Sequence, residues 1–337
     1  MGFHNNRFII IEKKESGIFI SRKIKSELHI DFIKNNTNVF NKYIILPCFS
    51  EEFDIDIDLE NGLSILYINN NKELVLHKQR SNKVESSKVI ETNKKRIYYL
   101  SFLTFHNTDN IFYLESTEDN KKLKLYHKLI DEDIKEYLVD DIDIYEIVNT
   151  FKVLRDGNNL LILYYYKNQI CLKGFDIVNK QWSHSITLTD NRNKLYLDAI
   201  KIGKKLHLVY ADYDGENFVT KCVSYIFEND RILKVNEAEL SPKGNYTDPV
   251  ILKMGNKIWI CYKDTNQLLS IYSMDNGTTW SEIYQWKETK KLDMVKYRYI
   301  TDIKEDRAHI DYVYGCTGKD IKFIGFGDFQ NAEILNK

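Results

Sequence analysis

Proline, glycine and paired cysteines are scarce in this sequence of 337 residues. With only 3 prolines and 14 glycines, most turns must be made by Asn, Asp and Lys, whose side chains and backbone preferences suit tight turns. The five cysteines are odd in number and widely spaced, and no two of them form a CxxC pair. This argues against a zinc site or a disulfide framework. We therefore expect no metal, and synthesis in a reducing compartment.

Long apolar runs and an excess of one charge are also missing. No stretch approaches the roughly 18 apolar residues of a membrane span, and residues 1–14 lack the apolar core of a signal peptide. We expect cytoplasmic synthesis without a signal peptide and no membrane insertion. Lys and Arg (48) nearly balance Asp and Glu (49), which leaves no overall field for binding nucleic acid. The abundance of Ile, Lys and Asn is typical of proteins from AT-rich bacterial genomes.

A repeat of strand pairs runs through the whole sequence. Short turn signals recur every 45 to 52 residues between segments rich in Ile, Val, Tyr and Phe, at Gly17, Gly62, Asp109, Gly157, Gly203, Gly255 and Asp306. A unit of this length with four strands is a β-propeller blade, because helical periodicity is absent. The spacing predicts an all-β fold over residues 1–337: one propeller domain of seven four-stranded antiparallel blades, with six blades as the second choice.

One short motif identifies the kind of propeller. It reads S-x-D-x-G-x-T-W and is formed by Ser273, Asp275, Gly277, Thr279 and Trp280. It resembles the Asp-box signature of sialidase-like, BNR-repeat propellers, where it marks the hairpin turn between the two outer strands of a blade, away from the ligand face. Glycine supplies a positive φ and the Ser and Asp side chains accept turn N–H groups. Tryptophan would begin the next strand and pack between blades.

The resemblance implies a fold rather than an activity. It covers about forty residues well, 247–286, and the rest of the chain only as a repeat period. Sialidases of this fold use an arginine triad, a Tyr–Glu nucleophile pair and an Asp acid/base. The nine arginines of this chain do not stand in contexts that match that triad. We therefore carry over no sialidase chemistry and assign no catalytic residue.

Three successive repeats share a Tyr-and-Asp pattern where the first strand of each blade begins. In propellers this point lies at the face where ligands usually bind. Tyrosine stacks on sugar rings, and aspartate accepts hydrogen bonds from hydroxyls. We predict that these residues form a ligand-binding site; the alternative is that each Asp caps a loop while each Tyr packs between blades. The pattern comprises Tyr196, Asp198, Tyr246, Asp248, Tyr299 and Asp302.

Two acidic stretches have other interpretations. Residues 53–59 alternate strictly, which places Asp54, Asp56 and Asp58 on one face of a strand. A second group lies at residues 140–143. Clustered carboxylates suit calcium, but neither stretch has the spacing of a calcium loop, so we favour solvated strand edges. His207 lies inside a strand and has no histidine at metal-ligand spacing, so we assign it no role.

These observations favour a non-enzymatic propeller that binds a protein or a glycan as a module of a protein assembly. Composition and the lack of a signal peptide suggest a spore-coat, phage-like or injection particle. The alternative is a glycan-acting enzyme, such as a sialidase-like glycoside hydrolase, working with Asp198, Asp248 or Asp302. That chemistry needs two carboxyl groups, one of which has a raised pKa. Neither reading requires a cofactor.

Overall fold

The chain divides into two compact units. A computed structural model describes residues 8–34, 40–58, 62–80, 83–91, 97–116, 122–142, 151–229, 231–265, 267–290, 294–316 and 322–335. Unit 1 comprises Met1–Ile147 and Arg298–Ile303, and unit 2 comprises Val148–Tyr297 and Lys304–Lys337. Nearly all regular structure in the described parts is β-strand. The expected single domain of 1–337 stays a prediction.

Unit 1 contains three groups of four antiparallel strands in chain order. The first group is β1 (Phe8–Lys13), β2 (Gly17–Ile24), β3 (Glu27–Lys34) and β4 (Phe40–Pro47). The second is β5 (Phe53–Ile57), β6 (Leu63–Ile68), β7 (Leu74–Arg80) and β8 (Lys83–Glu91). The third is β9 (Ile97–Phe105), β10 (Thr108–Ser116), β11 (Leu123–Ile130) and β12 (Ile134–Ile142).

Unit 2 contains three further antiparallel sheets, one of four strands and two of five. One contains β13 (Phe151–Asp156), β14 (Asn159–Tyr166), β15 (Gln169–Asp176), β16 (Gln181–Trp182) and β17 (Ile186–Thr187). The next contains β18 (Lys194–Ile202), β19 (Lys205–Tyr213), β20 (Phe218–Glu228) and β21 (Arg231–Glu239). The third contains β22 (Tyr246–Met254), β23 (Lys257–Asp264), β24 (Gln267–Ser273) and β25 (Tyr284–Trp286), with β29 (Ala332–Ile334) beside β25.

The remaining elements follow the last of these sheets. Strand β26 enters from unit 2 and ends in unit 1, where its last residues lie beside β1. A short α-helix then returns the chain to unit 2, where β27 pairs with β28. The bounds are η1 (3₁₀ helix, Lys287–Lys290), β26 (Met294–Thr301), α1 (Lys304–His309), β27 (Tyr312–Cys316), β28 (Lys322–Ile324) and η2 (3₁₀ helix, Phe329–Asn331).

Six of the seven predicted turns join the first and second strands of a group, as the repeat requires. The seventh prediction is wrong in form: residues around Asp306 make helix α1 between β26 and β27, not a tight turn. Each sheet is open in the part of the chain that is described. No helix there is long and apolar enough to cross a membrane.

The apolar core of unit 2 lies between neighbouring sheets. One cluster joins Ile200 of β18 and Val209 of β19 to Ile251 of β22 and Ile260 of β23, all of them buried. Burying one such side chain stabilises the fold by roughly 1.5–3 kcal/mol. A single sheet cannot cover both of its own faces, so the repeat is stabilised by packing sheet on sheet.

The S-x-D-x-G-x-T-W motif makes the turn between β24 and β25. The Ser273 hydroxyl accepts the Gly277 N–H at 2.8 Å, and Asp275 accepts the Thr279 N–H and hydroxyl at 2.8 and 2.7 Å. Gly277 has a φ of +79°, as a tight turn requires. Trp280 does not begin a strand, since β25 starts four residues later, but it packs against the core cluster between two sheets.

Candidate functional site

Strands β18 and β22 each carry a β-bulge near their start. The pairing of β18 with β19 shifts register after Leu195, and that of β22 with β23 shifts after Thr247. Within the bulges, Tyr196 and Asp248 have φ values of +59° and +56°. A left-handed residue other than glycine costs about 1–3 kcal/mol. Bulges redirect side chains and often occur next to binding sites, so Tyr196 and Asp248 are candidates for a binding site.

Asp198 lies directly after the first bulge and is buried, with 1% of its side chain exposed. Its Oδ1 accepts the N–H of Ala199 at 2.9 Å, and its Oδ2 accepts the N–H of Ile251 in the next sheet at 3.1 Å. The carboxylate therefore joins two first strands, β18 and β22. These contacts are the ones that the capping interpretation describes, and a ligand-binding role for Asp198 stays a prediction.

Lys152 of β13 provides the counter-charge for Asp198. Its Nζ lies 2.7 Å from Asp198 Oδ1 and also forms an ion pair with Asp311. Burial alone would lower the pKa of Lys152, but the two carboxylates outweigh it and raise the pKa. The ammonium group also lies 4.8 Å from the ring centroid of Tyr312. Helix α1 packs against β18 and β22 and leads directly to Asp311 and Tyr312.

Asp248, in the second bulge, is more accessible, with 29% of its side chain exposed. It pairs with Lys296 Nζ at 3.2 Å and with Lys263 Nζ at 3.7 Å. Burial would raise the pKa of Asp248, but the two ammonium groups outweigh it and lower the pKa. Asp248 is therefore ionised at neutral pH. Its backbone carbonyl accepts the Tyr314 hydroxyl at 2.5 Å.

Lys296 connects the two aspartates. Asp248 and Asp198 together raise its pKa against the opposing effect of burial. Its ammonium lies 4.8 Å from the Tyr312 ring centroid, the same distance as that of Lys152. We call this group the Lys–Asp–Tyr cluster: Lys152, Asp198, Asp248, Lys263, Lys296, Asp311, Tyr312 and Tyr314. All of its members lie in unit 2.

The cluster includes only part of the predicted site. Tyr196 is half-buried and close enough to the buried Tyr314 to influence that phenol electrostatically. Tyr246 is not part of the cluster: its ring packs edge-on against Tyr262 at 5.6 Å, inside the core between sheets. Tyr246 therefore follows the packing interpretation.

Tyr299 and Asp302 belong to unit 1. The Tyr299 hydroxyl bonds to the carboxylate of Glu12, and Asp302 Oδ1 accepts the N–H of Lys14 at 3.0 Å. Both contacts tie the end of β26 to β1 and to the turn that follows it. In unit 1 these two residues therefore fix the path of the chain.

The alternating acidic stretch is not a solvated edge, and that expectation is wrong for Asp54 and Asp56. Both are buried on β5. Asp54 Oδ2 accepts the N–H of Phe102 at 2.7 Å, and Asp56 Oδ2 accepts that of Thr104 at 2.8 Å. The carboxylates thus bond to the next first strand, β9. Leu59 and Asp143, at the ends of the two acidic stretches, lie outside the described residues.

The lysines of the cluster were not among the residues singled out by sequence. A faint signal exists: Lys152 and Lys296 each stand in the first strand of a repeat, among Val, Tyr, Phe and Ile. A lone cation at such a position must be paired or exposed. The histidines, cysteines and carboxylates that the structure describes form no group of three or more suited to a metal ion.

Comparison with known proteins informs the fold. No family model matches the chain, and no curated protein matches it. An ulvan lyase, described as a new family of polysaccharide lyase and solved with -[GlcA(1-4)Rha3S]- bound, has a TM-score of 0.61. It is 9% identical, over 95% of this chain and 94% of that one. Hydrazine synthase of Kuenenia stuttgartiensis has a TM-score of 0.50 and 12% identity, over 82% and 81%.

These likenesses show an all-β fold with several four-stranded antiparallel sheets, as in propeller proteins. Such low identity does not extend to residues or activity. What the chain does must therefore be argued from its own side chains.

Proposed function

We propose that this protein acts on a glycan and binds it at the Lys–Asp–Tyr cluster of unit 2. The observation that carries the proposal is the cluster itself, in which ammonium, carboxylate and phenol groups meet beside two left-handed bulge residues, with Asp248 and Asp311 partly exposed. Such groups orient the hydroxyls of a sugar. The fold likeness to a polysaccharide lyase makes glycans the first class to test.

The finer description of the fold belongs to the same proposal. We propose a seven-bladed propeller of the Asp-box type, with the six strand groups that begin at β1, β5, β9, β13, β18 and β22 and the β26–β28 segment as its blades. The hydrogen bonds of Ser273 and Asp275 support the Asp-box assignment. In such a propeller the first strands β13, β18, β22 and β26 would line the channel, and the cluster would lie at its mouth.

Asp248 is the group best suited to chemistry in this site. It is ionised and partly exposed, so it suits a base or a nucleophile rather than a proton donor. The proton donor would then be a phenol of the cluster such as Tyr312, whose ring centroid lies 4.8 Å from the ammonium groups of Lys152 and Lys296.

The test is a panel of soluble polysaccharides, assayed for binding by affinity electrophoresis and for new reducing ends. Lys296→Met should lower binding and any turnover at least tenfold, because Asp248 loses its nearer ammonium partner. Lys201→Met is the matched control. Lys201 also pairs with an aspartate, Asp156 at 2.6 Å, and lies 5.3 Å from an aromatic ring centroid, that of Phe227.

The two variants separate the possible outcomes. Equal losses in both would mean that the effect is one of stability rather than of the site. Absence of glycan binding across the panel in the wild-type protein would contradict the proposed function.

A non-enzymatic binding module is the second candidate, and one observation favours it. Each ammonium group of the cluster lies within ion-pair distance of a carboxylate. Such mutual pairing holds charges in place and favours ionised carboxylates, whereas a carboxylic acid that donates a proton needs a raised pKa. Binding without new reducing ends or unsaturated products would select this candidate, and the partner could then be a glycan or a protein of an assembly.

A further inference from the structure

The pairing of positive and negative groups in the Lys–Asp–Tyr cluster affects which class of glycan it can bind. Three ammonium groups, those of Lys152, Lys263 and Lys296, face three carboxylates, those of Asp198, Asp248 and Asp311. The formal charges of these six groups cancel. An anionic sugar gains most from a cation that has no carboxylate beside it, and here every one of the three cations has such a neighbour.

Exposure within the cluster runs from a buried end to an open end. Lys152 and Asp198 form the buried end, with 5% and 1% of their side chains exposed. The most exposed of the six charged groups are the carboxylates of Asp311, at 37%, and Asp248, at 29%, followed by the ammonium groups of Lys263, at 23%, and Lys296, at 16%. A ligand therefore meets carboxylates first. Since ionised carboxylates only accept hydrogen bonds, the ligand must donate them.

Asp248 has the surroundings that a pair of neighbouring hydroxyls requires. Its carboxylate lies between the ammonium groups of Lys296 at 3.2 Å and Lys263 at 3.7 Å. A hydroxyl both donates and accepts, so one hydroxyl can donate to Asp248 while accepting from Lys296. Its neighbour can do the same with Lys263. A carboxylate or sulfate group on the ligand would be repelled by Asp248 at this point.

We infer that the cluster takes a neutral glycan that presents two neighbouring free hydroxyls, rather than a uronate or a sulfated sugar. This inference rests on the proposed function and specifies its substrate class. It also sets this chain apart from the ulvan lyase of similar fold, whose bound fragment carries glucuronate and a sulfate.

The experiment compares neutral polysaccharides (mannan, xylan, galactomannan, β-glucan) with acidic ones (ulvan, alginate, polygalacturonate) by affinity electrophoresis of the full chain. Each is run at low and at high ionic strength. We expect binding to at least one neutral polymer, unchanged by salt, because no ion pair with the ligand is involved. Asp248→Asn should weaken that binding about 10- to 100-fold, the range for losing a charge-assisted hydrogen bond.

Asp156→Asn is the matched control for this variant. Asp156 is 28% exposed, close to the 29% of Asp248, and pairs with Lys201 in the same unit. It should bind like the wild-type protein. Melting temperatures of both variants report whether they are folded.

A second measurement needs no variant. Simple methyl glycosides should compete with the polymer for the wild-type protein, whereas the same glycosides with their neighbouring hydroxyls O-methylated should not. Equal competition by both forms would overturn the inference, as would binding confined to acidic polymers and lost at high salt, although the proposed function would survive either result. Failure of every polymer to bind would instead remove the proposed function itself.

Discussion

Unit 1 and unit 2 each contain a buried aspartate that makes the same kind of backbone hydrogen bonds, but the side chains around the two aspartates differ. Asp54 and Asp198 each accept the N–H of the following residue, at 2.9 Å in both cases. Each also accepts an N–H from the first strand of the next sheet, Phe102 in one unit and Ile251 in the other. In both units, then, a carboxylate fastens neighbouring first strands where no strand-to-strand ladder exists.

The cation beside each aspartate differs. Arg298 forms an ion pair with Asp54 and donates a second hydrogen bond to the Phe102 carbonyl at 3.2 Å. Lys152, beside Asp198, has a second carboxylate partner in Asp311, which is 37% exposed. The guanidinium, which is 16% exposed, bonds to the aspartate and to the strand that the aspartate joins, whereas the lysine, which is 5% exposed, connects a buried carboxylate to a partly exposed one. The same fold element thus joins first strands in both units, and in unit 2 it also leads to a partly exposed carboxylate.

The largest expected effect tests directly whether the two aspartates contribute differently to stability. Asp54→Ala should lower the free energy of unfolding by about 3–5 kcal/mol, because it removes a buried carboxylate from its ion pair with Arg298 and leaves the N–H groups of Ile55 and Phe102 without that acceptor. Asp198→Ala should cost less, about 1–3 kcal/mol, because Lys152 keeps Asp311. Urea unfolding followed by far-UV circular dichroism measures both. Equal losses would show that Asp311 does not compensate and that the two settings are alike.

Acid pH should weaken both units through buried histidines. Burial lowers the pKa of His127 in unit 1 to about 3 and, with a contribution from Lys205, that of His207 in unit 2 to about 4. In the unfolded chain both titrate near 6.5, so the unfolded state binds more protons below that pH. Stability is therefore complete above about 6.5 and is lost as the pH falls toward 4, by up to roughly 3 kcal/mol per histidine.

The two histidines can be separated by spectroscopy, because all four tryptophans lie in unit 2. His207→Gln should flatten the pH dependence of unfolding seen by tryptophan fluorescence, and His127→Gln should affect mainly circular dichroism. A wild-type melting temperature that does not change between pH 7 and pH 4.5 would contradict both assignments.

The smallest expected difference is one between two glycine variants, and it concerns a further connection between sheets in unit 2. The turn between β24 and β25 rests on β19: a Cβ added at Gly277 would lie 2.9 Å from the His207 ring. Gly277→Ala should therefore add about 1–3 kcal/mol of overpacking to the cost of a left-handed alanine. Gly255→Ala, at a φ of +60° with open space around it, should show only that backbone cost, about 1–2 kcal/mol. Thermal unfolding of the pair measures the difference, and equal shifts would mean that the turn does not dock.

Sequence predicted what depends on neighbours along the chain. The hairpin turns at Gly157, Gly203 and Gly255 have the expected positions, because a tight turn is set by a few residues. The bonds of Ser273 and Asp275 are local for the same reason. The alternation of Asp54 and Asp56 with apolar residues also predicted a strand, which is β5.

The sequence did not show whether water or another strand covers the polar face of β5. Asp54 accepts a hydrogen bond from the N–H of Phe102 and forms an ion pair with Arg298, and both residues lie far along the chain. A strand with one polar face has the same pattern whether water or another strand covers that face. Likewise, the role of Lys152 as a counter-charge can be recognised only from the position of Asp198 beside it in the fold. Side-chain pairing over such distances is set by packing rather than by local pattern.

The division of unit 1 along the chain has a consequence for its synthesis. Asp54 belongs to the first third of the protein, whereas Arg298 lies near its end. On a ribosome, which releases the N-terminal part first, the three early sheets emerge without the guanidinium that neutralises their buried carboxylate. A nascent chain stopped after residue 147 would hold an unpaired charge in its interior. Unit 1 therefore cannot complete its charge network until most of unit 2 has been synthesised.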